Sequence, residues 1–167
     1  MSSEILAALL GAVAAGVLQT LVTVFNRRHV VRATLVAIAT EVAAICQIMK
    51  THEFQPYLQR QAAAIRAGAW DGKAFFVDVR ADYFAVFNAN AANLGILPPG
   101  HAAKIVSFYA CCKSFIDTSR PDGRMATSPD PVFISENLLR LEGLVDTILA
   151  LGADIVHLPQ VDRFIDN

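Results

Sequence analysis

The residues able to do chemistry in this chain are few and far apart. His29, His52, His101 and His157 are scattered through the sequence, and none has a Cys, His or carboxylate at the i, i+4 spacing that closes a metal site on a helix. There is no Gly-rich phosphate loop, no GxSxG turn and no HExxH, and no arginine is followed four to six residues later by a histidine. Asp78 and Asp82 stand four apart around Arg80 and could share a helical face as paired carboxylates, although a solvated helix surface explains them better. Asn88, Asn90 and Asn93 crowd one helix end, where residues of mediocre helix propensity fit a simple fraying C-terminus or, as the sharper alternative, hydrogen-bonding contacts to a neighbouring helix, subunit or ligand. Cys46, Cys111 and Cys112 form no even framework, and the adjacent pair suits neither zinc nor redox spacing. They read as reduced apolar residues. The pattern points away from an enzyme and calls for no cofactor and no metal.

The polar groups in an unusual place are Gln19, Thr20 and Thr23. They lie inside an apolar run from Ile5 to Phe25 that carries no charge and is followed at once by Asn26, Arg27, Arg28 and His29, then Arg32. About 20 residues at 1.5 Å each match a hydrocarbon core of about 30 Å, so the run reads as one transmembrane helix, residues 1–26, with Arg27, Arg28 and Arg32 at the membrane interface. Met1 to Glu4 supply no cation, which argues against a cleaved signal peptide and, with the arginines on the far side, places the N-terminus outside and residues 27–167 in the cytoplasm. Ala8, Ala12 and Gly16 form a small-xxx-small ladder and Gly11 with Ala15 begins another, so helices can approach closely along this side. An amide at the depth of Gln19 prefers another chain or a water-filled lumen to lipid. Ala8, Gly11, Ala12, Ala15, Gly16, Gln19, Thr20 and Thr23 are therefore the expected pore or oligomer face.

The remaining 142 residues suffice for one compact domain. Of fifteen acidic residues only Glu4 precedes the arginines, so the rest of the chain holds fourteen of each sign. That neutrality speaks against nucleic acid as a partner, and the basic cluster fits lipid head groups better.

Periodicity predicts the elements. Val31, Leu35, Ile38, Val42, Ile45 and Met49 alternate steps of four and three, which carries the first helix to about residue 52, a rod about 75 Å long. Pro56 ends that helix and opens a second one to Ala67, with a break at Gly68 to Gly72. A third helix is predicted over 73–94, closed by Gly95 as a C′ glycine, with Phe75, Phe76, Tyr83, Phe84 and Phe87 in the core. After a Pro98-Pro99 turn, a fourth runs to about Thr118 with Ile105, Phe108, Cys112 and Phe115 facing inward. A polar loop covers 119–131. A last helix spans 132–157 with Leu138, Leu141, Val145, Ile148 and Ile155 on its apolar stripe. The fold class is all-α: an N-terminal transmembrane helix continuing into a cytoplasmic up-and-down helical bundle.

The span, the long first helix and the segment from Tyr83 through Asn93-Leu94-Gly95-Ile96-Leu97-Pro98-Pro99 to Tyr109 resemble a diffuse group of small bacterial proteins with one N-terminal membrane helix and a helical cytoplasmic domain, some of which accompany phage-defence systems. In size and layout the chain is also similar to the membrane accessory protein of type VI CRISPR effectors, which assembles as a ring-shaped pore. The resemblance implies a homo-oligomeric channel in the bacterial inner membrane, whose partners are the lipid bilayer and further copies of itself. The alternative from the residues alone is a non-conducting anchor or scaffold that holds a cytoplasmic protein partner.

Overall fold

A computed structural model describes residues 2–70, 72, 75–77 and 82–165, with side chains from residue 11 to 159. Every regular element among them is helical. Helix α1, Ser2–Thr51, is unbroken for 50 residues. No proline or glycine interrupts it between Val17 and Thr51, so each backbone N–H keeps its partner four residues back. From Gly11 on it is long and apolar enough to cross a bilayer.

The end of α1 differs from expectation. Its last turn closes through His52 N–H to Ile48 O and Glu53 N–H to Lys50 O, and Glu53 then takes a left-handed conformation (φ 49°). Helix α2, Phe54–Arg66, starts directly afterwards, with Pro56 inside its first turn. There the missing N–H costs nothing, because that donor has no partner within the helix anyway. Glu53, not Pro56, makes the break. At the other end Gly68 (φ 70°) is the C′ residue of a Schellman motif: Ala69 N–H reaches Ala64 O and Gly68 N–H reaches Ile65 O.

The third helix is much shorter than the sequence pattern predicts. Residues 75–77 have no regular secondary structure, with Val77 N–H donating to Ser119 O at 2.7 Å, and helix α3 covers only Ala85–Asn90. A 3₁₀ helix, Ala91–Ile96, follows, and Gly95 lies within it instead of terminating an α-helix in the left-handed region. Tightening to three residues per turn removes the 3-4-3 stripe on which the longer helix was based. Phe75, Phe84 and Phe87 do pack on the core, whereas Phe76 and Tyr83 are exposed.

Helix α4, Pro99–Thr118, opens with Pro99 at its first position and buries Ile105, Phe108, Tyr109, Cys112 and Phe115. The polar connection holds a single turn, α5, Arg124–Thr127. Asp130 caps the last helix by accepting from Val132 and Phe133 N–H, and α6 runs as Pro131–Ile165, eight residues past His157 and through Pro159.

Helix α6 is the hub, touching α1, α2, α4 and α5. Partners descend along it as they ascend along α1 and α2: Val42 and Cys46 lie beside Gly152, Gln55 bonds Asp146, and Gln59 bonds Glu142. Thus α2 does not turn back on α1 but continues its course past the bend, antiparallel to α6. Lys104 paired with Asp154, and Phe108 beside Gly152, set α4 antiparallel to α6 as well. The common core contains Leu35, Ile38 and Val42 of α1, Leu58 of α2, Ile105 and Phe108 of α4, and Leu141 and Ile148 of α6.

The closest approach is at Gly152. A Cβ built there overlaps Cys46 Sγ and lies 3.3 Å from the Phe108 ring. Gly152→Ala is expected to lower stability by about 1–3 kcal/mol through overpacking. Combining it with Cys46→Ala should recover much of that loss, measured by thermal unfolding of the solubilised protein; an unchanged midpoint in the single variant refutes the crossing.

Candidate functional site

Helix α1 lives in two environments. Residues 11–30 are exposed at every position, with Val13 62%, Leu18 64% and Phe25 70% exposed. Burial begins at Val31 and is complete at Leu35, Ile38 and Val42, so the stripe predicted over 31–49 lies against the rest of the chain. Of the expected pore or oligomer face, Gly11, Ala12, Ala15, Gly16, Gln19, Thr20 and Thr23 all fall in the exposed stretch, while the Ala8 side chain lies outside the described ones. A Cβ added at Gly11 or Gly16 meets nothing within 4 Å, so packing inside this chain does not require either glycine. The hydroxyls of Thr20 and Thr23 donate to Gly16 O and Gln19 O, both at 2.8 Å. Arg27, Arg28 and Arg32 are exposed at the level where burial starts.

The polar centre of the folded part was missed by sequence reasoning. Glu41 sits beside the apolar stripe of α1, and its two carboxylate oxygens accept from Val86 N–H at 2.7 Å, Phe87 N–H at 3.0 Å and the Tyr109 hydroxyl at 2.6 Å. Phe84, the residue preceding α3, has no side-chain acceptor of its own. A carboxylate from another helix therefore satisfies the first donors of α3 and meets the positive end of its dipole. Tyr109 is fixed further by stacking on Phe87 at 4.0 Å and edge contacts to Phe84 and Phe108. Burial, and then the bond and charge of Glu41, push the Tyr109 hydroxyl above its ordinary range, so it remains a donor. The one available signal was an acid directly before Val42 in an otherwise apolar stretch.

A cavity of about 340 Å³ opens near the end of α1, walled by Ile45, Met49, Phe54, Phe84, Cys112 and Phe115, with His52, Phe76 and Tyr83 at its rim. Its lining is mainly apolar. His52 stacks on Phe54 with ring centroids 5.6 Å apart.

The residues read as candidate chemistry do not converge. His29, His52 and His157 are exposed, and His101 is half-buried, its Nδ1 without a hydrogen-bond partner among the described residues. Those residues contain no group of three or more His, Cys, Asp or Glu able to hold a metal ion. Asp82 precedes α3 and accepts from Phe84 N–H, so it does not lie on the long helix expected to align it with Asp78, which is outside the described residues. Asn88 is exposed, Asn90 donates to Val86 O within its own helix, and Asn93 is half-buried in the 3₁₀ segment. All three cysteines are free. Burial pushes the Cys112 thiol up to about 12, aided by Cys46 and Cys111, and it raises Cys46 against the lowering effect of Lys50. Neither thiol is primed as a nucleophile.

The chain matches no protein-family description, no curated protein and no solved structure.

Two measurements test this site. Glu41→Leu leaves two backbone donors and a hydroxyl without their acceptor, and is expected to cost about 1–3 kcal/mol per stranded group, with Tyr109→Phe losing less. Equal unfolding midpoints for both variants would refute the capping role. Because the folded values of Cys46 and Cys112 lie above their unfolded values, their effect on stability is nil below about pH 9. Stability is lost as pH climbs toward 12, where the unfolded thiols ionise and the folded ones do not. At pH 8 a maleimide should therefore label half-buried Cys111 first, and Cys46 and Cys112 only on unfolding.

Proposed function

We propose that this protein is a homo-oligomeric, single-span protein of the bacterial inner membrane, with its N-terminus outside and its helical domain in the cytoplasm, acting as a pore or channel-type effector. The observation that carries the reading is the division of one unbroken helix: residues 11–30 are exposed at every position and uncharged as far as Asn26, and one stripe of residues 31–49 of the same helix is packed into the folded part. An apolar surface of that extent needs a bilayer or another chain to cover it. The exposed arginines at the boundary fit a cytoplasmic leaflet. Gly11 and Gly16, unused by packing within the chain, leave room for close helix contact. In this reading the face from Gly11 to Thr23 borders a narrow lumen and Gln19 supplies its polar group. The cytoplasmic helices form a bundle around the inner mouth. An effector role in phage defence rests on the resemblance in layout alone.

The bonding of Thr20 and Thr23 to their own helix favours a second reading, a non-conducting anchor for a cytoplasmic partner, since hydroxyls satisfied in this way tolerate lipid. Replacing residues 5–25 by an unrelated polyleucine span separates the two: the pore loses activity and the anchor keeps it. In planar bilayers Gln19→Leu is expected to change single-channel conductance without changing thermal stability. Conductance identical to that of the unmodified protein removes Gln19 from the lumen.

A further inference from the structure

The face of α1 opposite its core stripe is also patterned. Two positions round from the buried residues stand Ala33, Val36, Thr40, Ala43 and Gln47, every one exposed. A step of two residues turns about 200° on a helix, so these side chains point directly away from the core. They keep the alternating three and four spacing, and counting backward at that spacing gives His29, Asn26, Val22, Gln19, Ala15 and Ala12, again all exposed. Eleven successive positions from Ala12 to Gln47 thus form one row along a helix without a break, half in the exposed apolar stretch and half beside the folded part. The buried stripe shares this period, so the two rows stay on opposite sides of the helix.

The chemistry of the row selects its occupant. None of the eleven is Asp, Glu, Lys or Arg. With the larger interval placed as in a heptad, Ala12, Gln19, Asn26, Ala33, Thr40 and Gln47 take the first core position and Ala15, Val22, His29, Val36 and Ala43 the second. Gln19, Asn26 and Gln47 are amides, each both donor and acceptor, and an identical amide at the same height satisfies both functions. That arrangement requires parallel helices in register, which a shared bilayer and a common topology impose on copies of one chain. The charges of α1 set the extent of the row, which ends at Gln47 because its next position is the exposed Lys50. Arg27 and Arg28 fall off the row, Arg32 flanks it and meets Ala37 of a parallel neighbour, and Glu41 is turned toward α3 and α4.

We propose that α1 carries a single self-association seam, continuous across the membrane boundary from Ala12 to Gln47, on which α1 of a second copy packs in parallel and in register. The proposal rests on the self-association reading above and extends the contact about 33 Å beyond the apolar stretch that ends at Phe25, at 1.5 Å per residue. In a ring the seam turns toward the common axis, which keeps Gln19 both at the contact and beside the lumen.

The test is disulfide trapping in the full-length protein in native membranes, alongside its copy number in lipid nanodiscs. Thr40→Cys and Ala43→Cys bring like residues within disulfide reach across the seam; Lys113→Cys, exposed on α4, is the control, with the unmodified protein as background. The expected result is a two-copy band with copper phenanthroline for Thr40→Cys and Ala43→Cys, and none above background for Lys113→Cys. Val36→Glu, which places like charges opposite one another on an exposed position, should lower the copy number with an unchanged unfolding midpoint. Several copies in the nanodisc without trapping at either seam position overturns the seam but leaves self-association standing. A single copy overturns both.

Discussion

The structure depends on α1 remaining a helix from Ser2 to Thr51. Its backbone bonds internally, and the absence of proline and glycine beyond Gly16 lets that bonding run without a break from the exposed stretch into the folded part. The rod then has two jobs along its length. Residues 11–30 are exposed on all sides, and the second half offers one stripe to α6, α2 and α3.

Two devices attach the rod. At Gly152 the absence of a side chain lets α6 approach Val42 and Cys46 closely, with Phe108 of α4 against the same point. At Glu41 a carboxylate on the rod itself satisfies the start of α3 and the Tyr109 hydroxyl of α4. One contact is apolar and set by size, and the other is polar and set by unsatisfied donors. Together they tie α3, α4 and α6 to the same short length of α1, from residue 41 to 46. The apolar cavity lies just beyond that length, next to the bend at Glu53.

Chemistry by side chains has little material here. The buried thiols are held protonated, the histidines are dispersed, and the half-buried carboxylate of Glu41 is committed to three donors. The proposed function therefore rests on the exposed faces of α1.

The sequence by itself determined the helical content, the long first helix and most of the core. Periodicities of apolar residues translate directly into buried stripes when a helix is long, as for Leu35 to Met49, Ile105 to Phe115 and Leu138 to Ile155. It also located the apolar stretch and the arginines that follow it. Tertiary structure decided how the predicted helix over 73–94 is cut: Glu41, an acceptor 45 positions from Val86 in sequence, meets the first donors of α3, and the chain tightens to a 3₁₀ helix after Asn90. The same holds for Gly152, whose role is a contact between three helices, and for the direction of α2, fixed by Asp146 and Glu142. Local pattern specifies which face is apolar. Only the packed chain specifies what that face meets, and hence which row of α1 is left open.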